Sequence, residues 1–160
     1  MENFKLSYRK AKISDINEIY STLLKAFEPY KKNYTSGAYN ATILNPQDIK
    51  NRILGDEYEI YVVEIDKKIT GTFSITKKEK NRLHIRTMAV HPNYQGRGIG
   101  LFILEKIDML AKKNNIRVIS LDTSKPLKKA IKFYESYGFK FTGVTHNFFQ
   151  IKIYEMVRNI

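Results

Sequence analysis

Residues 91–100 read His91-Pro92-Asn93-Tyr94-Gln95-Gly96-Arg97-Gly98-Ile99-Gly100. The run before them, residues 82–90, is rich in β-branched and apolar side chains and reads as a strand. After them Ile99, Phe102, Ile103, Ile107 and Leu110 recur at helical spacing, with Glu105, Lys106, Asp108 and Lys112 on the other face. A glycine-rich turn therefore joins a strand to a helix. Glycine lets a backbone approach a ligand closely and take positive φ. The first amides of the helix lack partners within it and, with the helix dipole, favour an anion. Residues 95–100 are thus a candidate phosphate cradle, to which the Arg97 side chain can add a charge.

Upstream, residues 4–8 read as a first strand. Ser14 is a candidate N-cap for a helix carrying Ile16, Ile19, Leu23, Leu24 and Phe27, and Pro29 stops that run. Residues 30–45 are polar and tyrosine-rich and read as irregular. Asn45-Pro46 opens a second helix that Gly55 ends. Residues 58–65, 69–76 and 82–90 form a meander with short polar turns, which favours antiparallel hairpins. Downstream come a strand at 117–121, a helix that opens at Ser124-Lys125-Pro126 and ends at Gly138, and two strands at 139–144 and 148–157. The expected order is β-α-α-β-β-β-α-β-α-β-β, an α/β chain of α+β type with a mixed sheet. No linker or repeat divides residues 1–160, so one domain is expected.

With 160 residues the chain is long enough for one ordinary core. It has no cysteine, hence no disulfide, thiolate nucleophile or Cys-based zinc site. His84, His91 and His146 lack zinc-like spacing, and no metal is expected. No apolar run reaches membrane-span length, and the start lacks a signal-peptide layout, so a cytoplasmic location and no membrane partner are expected. The net charge of +12 should attract anions, but the lysines are scattered in pairs and form no nucleic-acid-binding block.

The turn is not a Walker A loop, because no Gly-Lys-Ser or Gly-Lys-Thr follows it. A Rossmann fold is the rival, with Asp122 near the place of a ribose-binding acid. Against it, residues 91–95 separate strand from glycine, and a meander stands where βαβ units should be.

Two segments resemble the GCN5-related N-acetyltransferase (GNAT) family. In Met88-Ala89-Val90-His91-Pro92-Asn93-Tyr94-Gln95-Gly96-Arg97-Gly98-Ile99-Gly100, Gln95, Gly98 and Gly100 fall on the family's Gln/Arg-x-x-Gly-x-Gly/Ala pattern. Ala130-Ile131-Lys132-Phe133-Tyr134-Glu135-Ser136-Tyr137-Gly138-Phe139 is similar to its Ala-x-x-x-Tyr-x-x-x-Gly-Phe helix end. Tyr8-Arg9-Lys10-Ala11, then Asp15, resembles the family's opening. The resemblance implies acetyl-CoA as donor and a primary amine as acceptor. Backbone groups of Met88 and Val90 would pair with the pantetheine arm, and amides of residues 95–100 would hold the pyrophosphate. Leu127 stands where many members carry a cofactor-contacting Asn.

In direct transfer an amine attacks the thioester, an oxyanion forms and thiolate departs. The resemblance puts the Tyr134 hydroxyl near the sulfur, as the candidate acid. A backbone amide near Met88 or Ala89 is the candidate oxyanion donor. Glu28 and His84, with Glu64 behind them, are candidate bases. The resemblance also implies that the segment between the first two helices covers the acceptor, so that Tyr30, Tyr34, Thr35 and Tyr39 would shape its pocket. A non-catalytic acyl-CoA sensor would keep the glycine turn and need no acid at Tyr134. A basic nucleic-acid-binding protein would need neither. The C-terminal edge strands offer a route to a homodimer.

Overall fold

Alternation along residues 60–65 shows how the layers form. Ile60 and Val62 are buried on one face with Ile19, Leu23 and Ile49, while Tyr61, Val63 and Ile65 are buried on the other with Ile103, Leu104 and Ile107. A strand of period two thus serves two helical layers at once. The computed structural model describes residues 5–79 and 81–160. The elements are β1 (Leu6–Lys10), α1 (Ile16–Phe27), α2 (Ser36–Ile43), α3 (Pro46–Leu54), β2 (Glu59–Ile65), β3 (Lys68–Lys78), β4 (Arg82–Val90), α4 (Ile99–Lys113), β5 (Val118–Thr123), α5 (Lys128–Ser136), β6 (Lys140–Phe148) and β7 (Ile151–Asn159). Residues 1–4, on which the start of the expected first strand and the N-terminal reading fall, lie outside the described residues.

One seven-stranded sheet runs β1-β2-β3-β4-β5-β7-β6, antiparallel except for the β4–β5 pair. That parallel pair decides the geometry of the site. It is laddered only from Arg82↔Val118 to Ile85↔Leu121, after which the two strands part. On its other side β4 stays paired to β3 as far as Gly71↔Val90. The register there runs Ser74↔Thr87 and then Ile75↔Ile85, so Arg86 is an extra, bulged residue. A bulge bends its strand and raises its twist, which takes β4 away from β5. The sheet is therefore split beyond Ile85, and the edge of β4 over residues 86–90 faces the gap.

Three local expectations are corrected. Ser14 does not cap α1: residues 13–15 form a 3-10 turn, and the Asp15 carboxylate accepts from the Lys12 amide at 2.7 Å and from Arg9 at 2.7 Å. Residues 36–43 are helical rather than irregular. The Thr35 hydroxyl accepts from the Ala38 amide at 3.1 Å, and Ala38 and Ile43 are buried. Pro126 precedes α5 instead of opening it, because a turn closed by the Leu127 amide on the Ser124 carbonyl at 3.0 Å intervenes.

Candidate active site

The turn between β4 and α4 has the conformation that its glycines allow. Gly96 and Gly98 have φ of +78° and +80°, and a Cβ on either would meet nothing within 4 Å. Backbone conformation, rather than packing, therefore demands glycine at both places, and the space above them is open. The Phe102 amide bonds the Gly98 carbonyl at 3.0 Å. The amides of Ile99, Gly100 and Leu101 thus precede the first intrahelical bond and make an anion-binding end. Gln95 fastens the turn to its strand, its Nε2 donating to the Val90 carbonyl at 3.2 Å. The Arg97 guanidinium lies 5.2 Å from the Tyr94 ring centroid.

Gly100 has a different reason to be glycine. A Cβ there would lie 3.1 Å from Phe133 Cζ and 3.7 Å from Met88 Cε. The start of α4 is thereby pressed against both β4 and α5.

Helix α5 delivers Tyr134. Its end is a Schellman closure, in which the Phe139 amide bonds the Tyr134 carbonyl at 3.0 Å and Gly138 takes φ +105°. The Tyr134 ring packs edge-on against Phe139, with centroids 5.8 Å apart. Burial pushes its phenol up to about 12. The hydroxyl has no hydrogen-bond partner among the described residues, and Tyr134 lines a cavity of about 140 Å³ in the split between β4 and β5.

That cavity gathers several of the expected residues. Met88, His84, Tyr34 and Leu127 line it with Tyr134. The Tyr34 hydroxyl stands 3.5 Å from Ser124 Oγ, and burial raises its pKa. His84 is 1% exposed. Its Nδ1 lies 2.8 Å from Ser120 Oγ and its Nε2 3.5 Å from Asp122 Oδ2. Burial holds the imidazole below its ordinary pKa, so it is neutral at pH 7. For Asp122 burial acts upward, but the His84 side chain, helped by the positive charge of Lys78, prevails and holds the carboxyl low.

Other expected residues are not brought there. Glu28 is exposed and Tyr30 half-buried, and neither lines the cavity. Glu64 accepts from Arg9 at 2.6 Å, in the pair that joins β1 to β2. Thr35 caps α2 and donates to the Phe149 carbonyl at 2.7 Å, which ties α2 to the β6–β7 turn. Tyr39 packs on Tyr34, centroids 6.5 Å apart, with Lys31 Nζ 5.4 Å from its ring. Ala89 is buried with Ile19 and Leu23, so only its backbone is available to a ligand.

Sequence reading missed Arg52, Arg86 and Thr87 in the lining, and Asp122 in any role but a ribose contact. They come from α3, β4 and β5 and have no sequence proximity to signal them. Asp122, His146 and Glu155 also converge, with one ligand atom each within 4.8 Å of the others. Glu155 is already bonded by Arg82 at 3.1 Å and Thr142 at 3.1 Å.

The family model described as Acetyltransferase (GNAT) family matches residues 16–139. An uncharacterised N-acetyltransferase of Methanocaldococcus jannaschii is 28% identical over 141 residues, 82% of this chain and 58% of that protein. The N-acetylaspartate synthetase of Xenopus tropicalis is 33% identical over 88 residues, 54% of this chain and 32% of that protein. The chain thus spans well under two thirds of the length of both. Among solved structures, the PaiA N-acetyltransferase of Thermoplasma acidophilum in complex with coenzyme A superposes with TM-score 0.83 at 16% identity, over 98% of this chain and 99% of that one. The ribosomal-protein-S18-alanine N-acetyltransferase of Escherichia coli gives 0.77 at 17% identity, over 98% and 94%. The fold is theirs, and the family match spans β4, the glycine turn, α4, β5 and α5. The chain, matched over residues 16–139, belongs to the acetyltransferase (GNAT) family.

Proposed function

We propose that this chain transfers the acetyl group of acetyl-CoA directly to a primary amine bound in the split between β4 and β5. The observation that carries the reading is the meeting of three features at one place: the parted edge of β4, the open amides at the start of α4, and the unpartnered Tyr134 hydroxyl. The pantetheine arm pairs with the backbone of Met88 and Val90 as an added strand. The pyrophosphate takes the amides of residues 95–100. A backbone amide at Met88 or Ala89 faces the developing oxyanion.

The amine nitrogen attacks the thioester carbon, the tetrahedral intermediate collapses, and the C–S bond breaks to release thiolate. Tyr134 donates a hydrogen bond to the departing sulfur. With its phenol at about 12 and an alkyl thiol near ~8.5, complete proton transfer is uphill by ~5 kcal/mol. Its contribution is therefore a strong hydrogen bond to the thiolate, and solvent completes the protonation. The bound ammonium first gives one proton through the Asp122–His84 pair to solvent, which frees the lone pair for attack, and the proton shed after attack leaves by the same pair. Asp122 is ionised, draws the ammonium form in, and has one oxygen, Oδ1, buried without a hydrogen-bond partner among the described residues. His84 positions it and touches no substrate. Glu28 is too exposed for this role.

The experiment is thiol release from acetyl-CoA in the presence of a panel of primary amines, with the acetylated amine identified by mass. Amine-dependent release supports the reading. Tight acetyl-CoA binding without transfer to any amine favours the sensor instead.

A further inference from the structure

Arg52 is unusual for an arginine. It projects from the last turn of α3, lies with its guanidinium carbon 4.2 Å from the Tyr58 ring centroid, and lines the cavity. Its Nη1 is buried and has no hydrogen-bond partner among the described residues. Asp48 and Glu57 act on it only through space, and no carboxylate among the described residues comes within ion-pair distance. Arg86, the bulged residue of β4, lines the same cavity and adds like charge. A partly desolvated guanidinium beside a second cation is costly to maintain without an anion. Across the split, on β5, stands the Asp122 carboxylate with its own buried, unpartnered oxygen. The cavity thus carries cations on its α3–β4 wall and an anion on its β5 wall. Of the remaining charges near it, Lys78 acts on Asp122.

That arrangement complements a ligand with an ammonium at one end and a carboxylate at the other. We propose that the acceptor is an amine that also bears a carboxylate, an amino acid or a short peptide, with Arg52 as the carboxylate's anchor and Arg86 as its second contact. Arginine's planar fork suits a carboxylate in two-point contact. The ammonium end is drawn toward Asp122 and so toward Tyr134 and the thioester. The proposal rests on the acetyl-transfer reading and names the substrate class of that same site.

The test uses matched amine pairs that differ only in the carboxylate: phenylalanine and phenethylamine, lysine and cadaverine, alanylalanine and its C-terminal amide. Thiol release is measured with acetyl-CoA saturating. At least one acid should exceed its partner in kcat/KM by about tenfold or more. In Arg52→Gln that ratio should fall toward one, mainly through KM, with acetyl-CoA affinity unchanged. Arg52→Lys, which keeps charge but loses the fork, should fall between. The melting temperature of Arg52→Met should hold or rise, because an unpaired buried charge is removed. Equal turnover of both members of every pair would overturn the substrate class and leave acetyl transfer standing. A ratio unaltered in Arg52→Gln, or a melting temperature that drops while the ratio stays, would make Arg52 a packing residue. Failure to bind acetyl-CoA at all would instead remove the acetyl-transfer reading beneath.

Discussion

Gly100 and Phe133 touch so closely that a Cβ on the glycine would lie 3.1 Å from the ring's Cζ. This contact couples the turn proposed for the donor's phosphates to the helix that carries Tyr134. Gly100→Val should cost about 1–3 kcal/mol through overpacking. Gly100→Ala should be nearly neutral in stability, since helix propensity returns up to about 1 kcal/mol against the squeeze. Yet it should lower kcat, because Phe133 must shift and Tyr134 is its neighbour. Urea unfolding and steady-state rates on the two variants separate the effects. A Gly100→Ala protein with full kcat would show that the two halves of the site are not coupled.

Tyr134→Phe should leave the fold intact, because the hydroxyl has no hydrogen-bond partner among the described residues and the ring contacts with Phe133 and Phe139 remain. Turnover should fall about 10²- to 10³-fold if the hydroxyl bonds the departing sulfur, with little change in acetyl-CoA affinity. Because the phenol titrates only near about 12, no fall in rate on the alkaline side up to pH 10 should come from Tyr134. A pH–rate profile on wild type checks this. Equal turnover in Tyr134→Phe would remove the residue from the chemistry.

His84 gives a stability prediction with a definite sign. Its pKa in the folded protein lies below the ordinary histidine value, so the unfolded chain binds the proton more readily. Stability from this residue is complete above about pH 6.5 and falls as the pH drops toward the folded value. The loss has a limiting slope of about 1.4 kcal/mol per pH step. Melting temperatures between pH 7.5 and 5 should therefore decline more steeply in wild type than in His84→Gln. Parallel curves would mean that the imidazole is not buried neutral.

Much of the fold was legible because its signals are local. The Asn45 side-chain oxygen caps α3 by accepting from the Asp48 amide at 2.8 Å, where Asn45-Pro46 announces it. β4 occupies residues 82–90, as its β-branched run predicts, and α4 and the Gly138 closure follow from apolar spacing and one glycine. Helix α2 was not legible. It lacks an apolar face of its own and depends on the Thr35 cap and on contact with the β6–β7 turn. The glycine turn and Tyr134 could be named from their motifs. Arg52 and Asp122 could not be placed on one cavity, since their facing across the split depends on where a bulge at Arg86 sends β4. The side chains of Thr35 and Tyr39 are taken up by capping and packing.

The turn itself separates backbone conformation from ligand space. Gly98→Ala should cost about 1–2 kcal/mol, because φ +80° strains any L side chain although the added Cβ meets nothing. A larger side chain there should fill the open space above the α4 amides while the core stays as it is. Circular dichroism and melting establish that such a variant is folded before its ligand binding is compared.

The central claim, that the glycine turn and the parted edge of β4 hold acetyl-CoA, is tested most directly by calorimetric titration of acetyl-CoA into wild type and folded Gly98→Trp. Wild type should show one site per chain, with Kd on the order of micromolar, and the variant should lose binding. Equal affinity in both, or no binding in wild type, would contradict it.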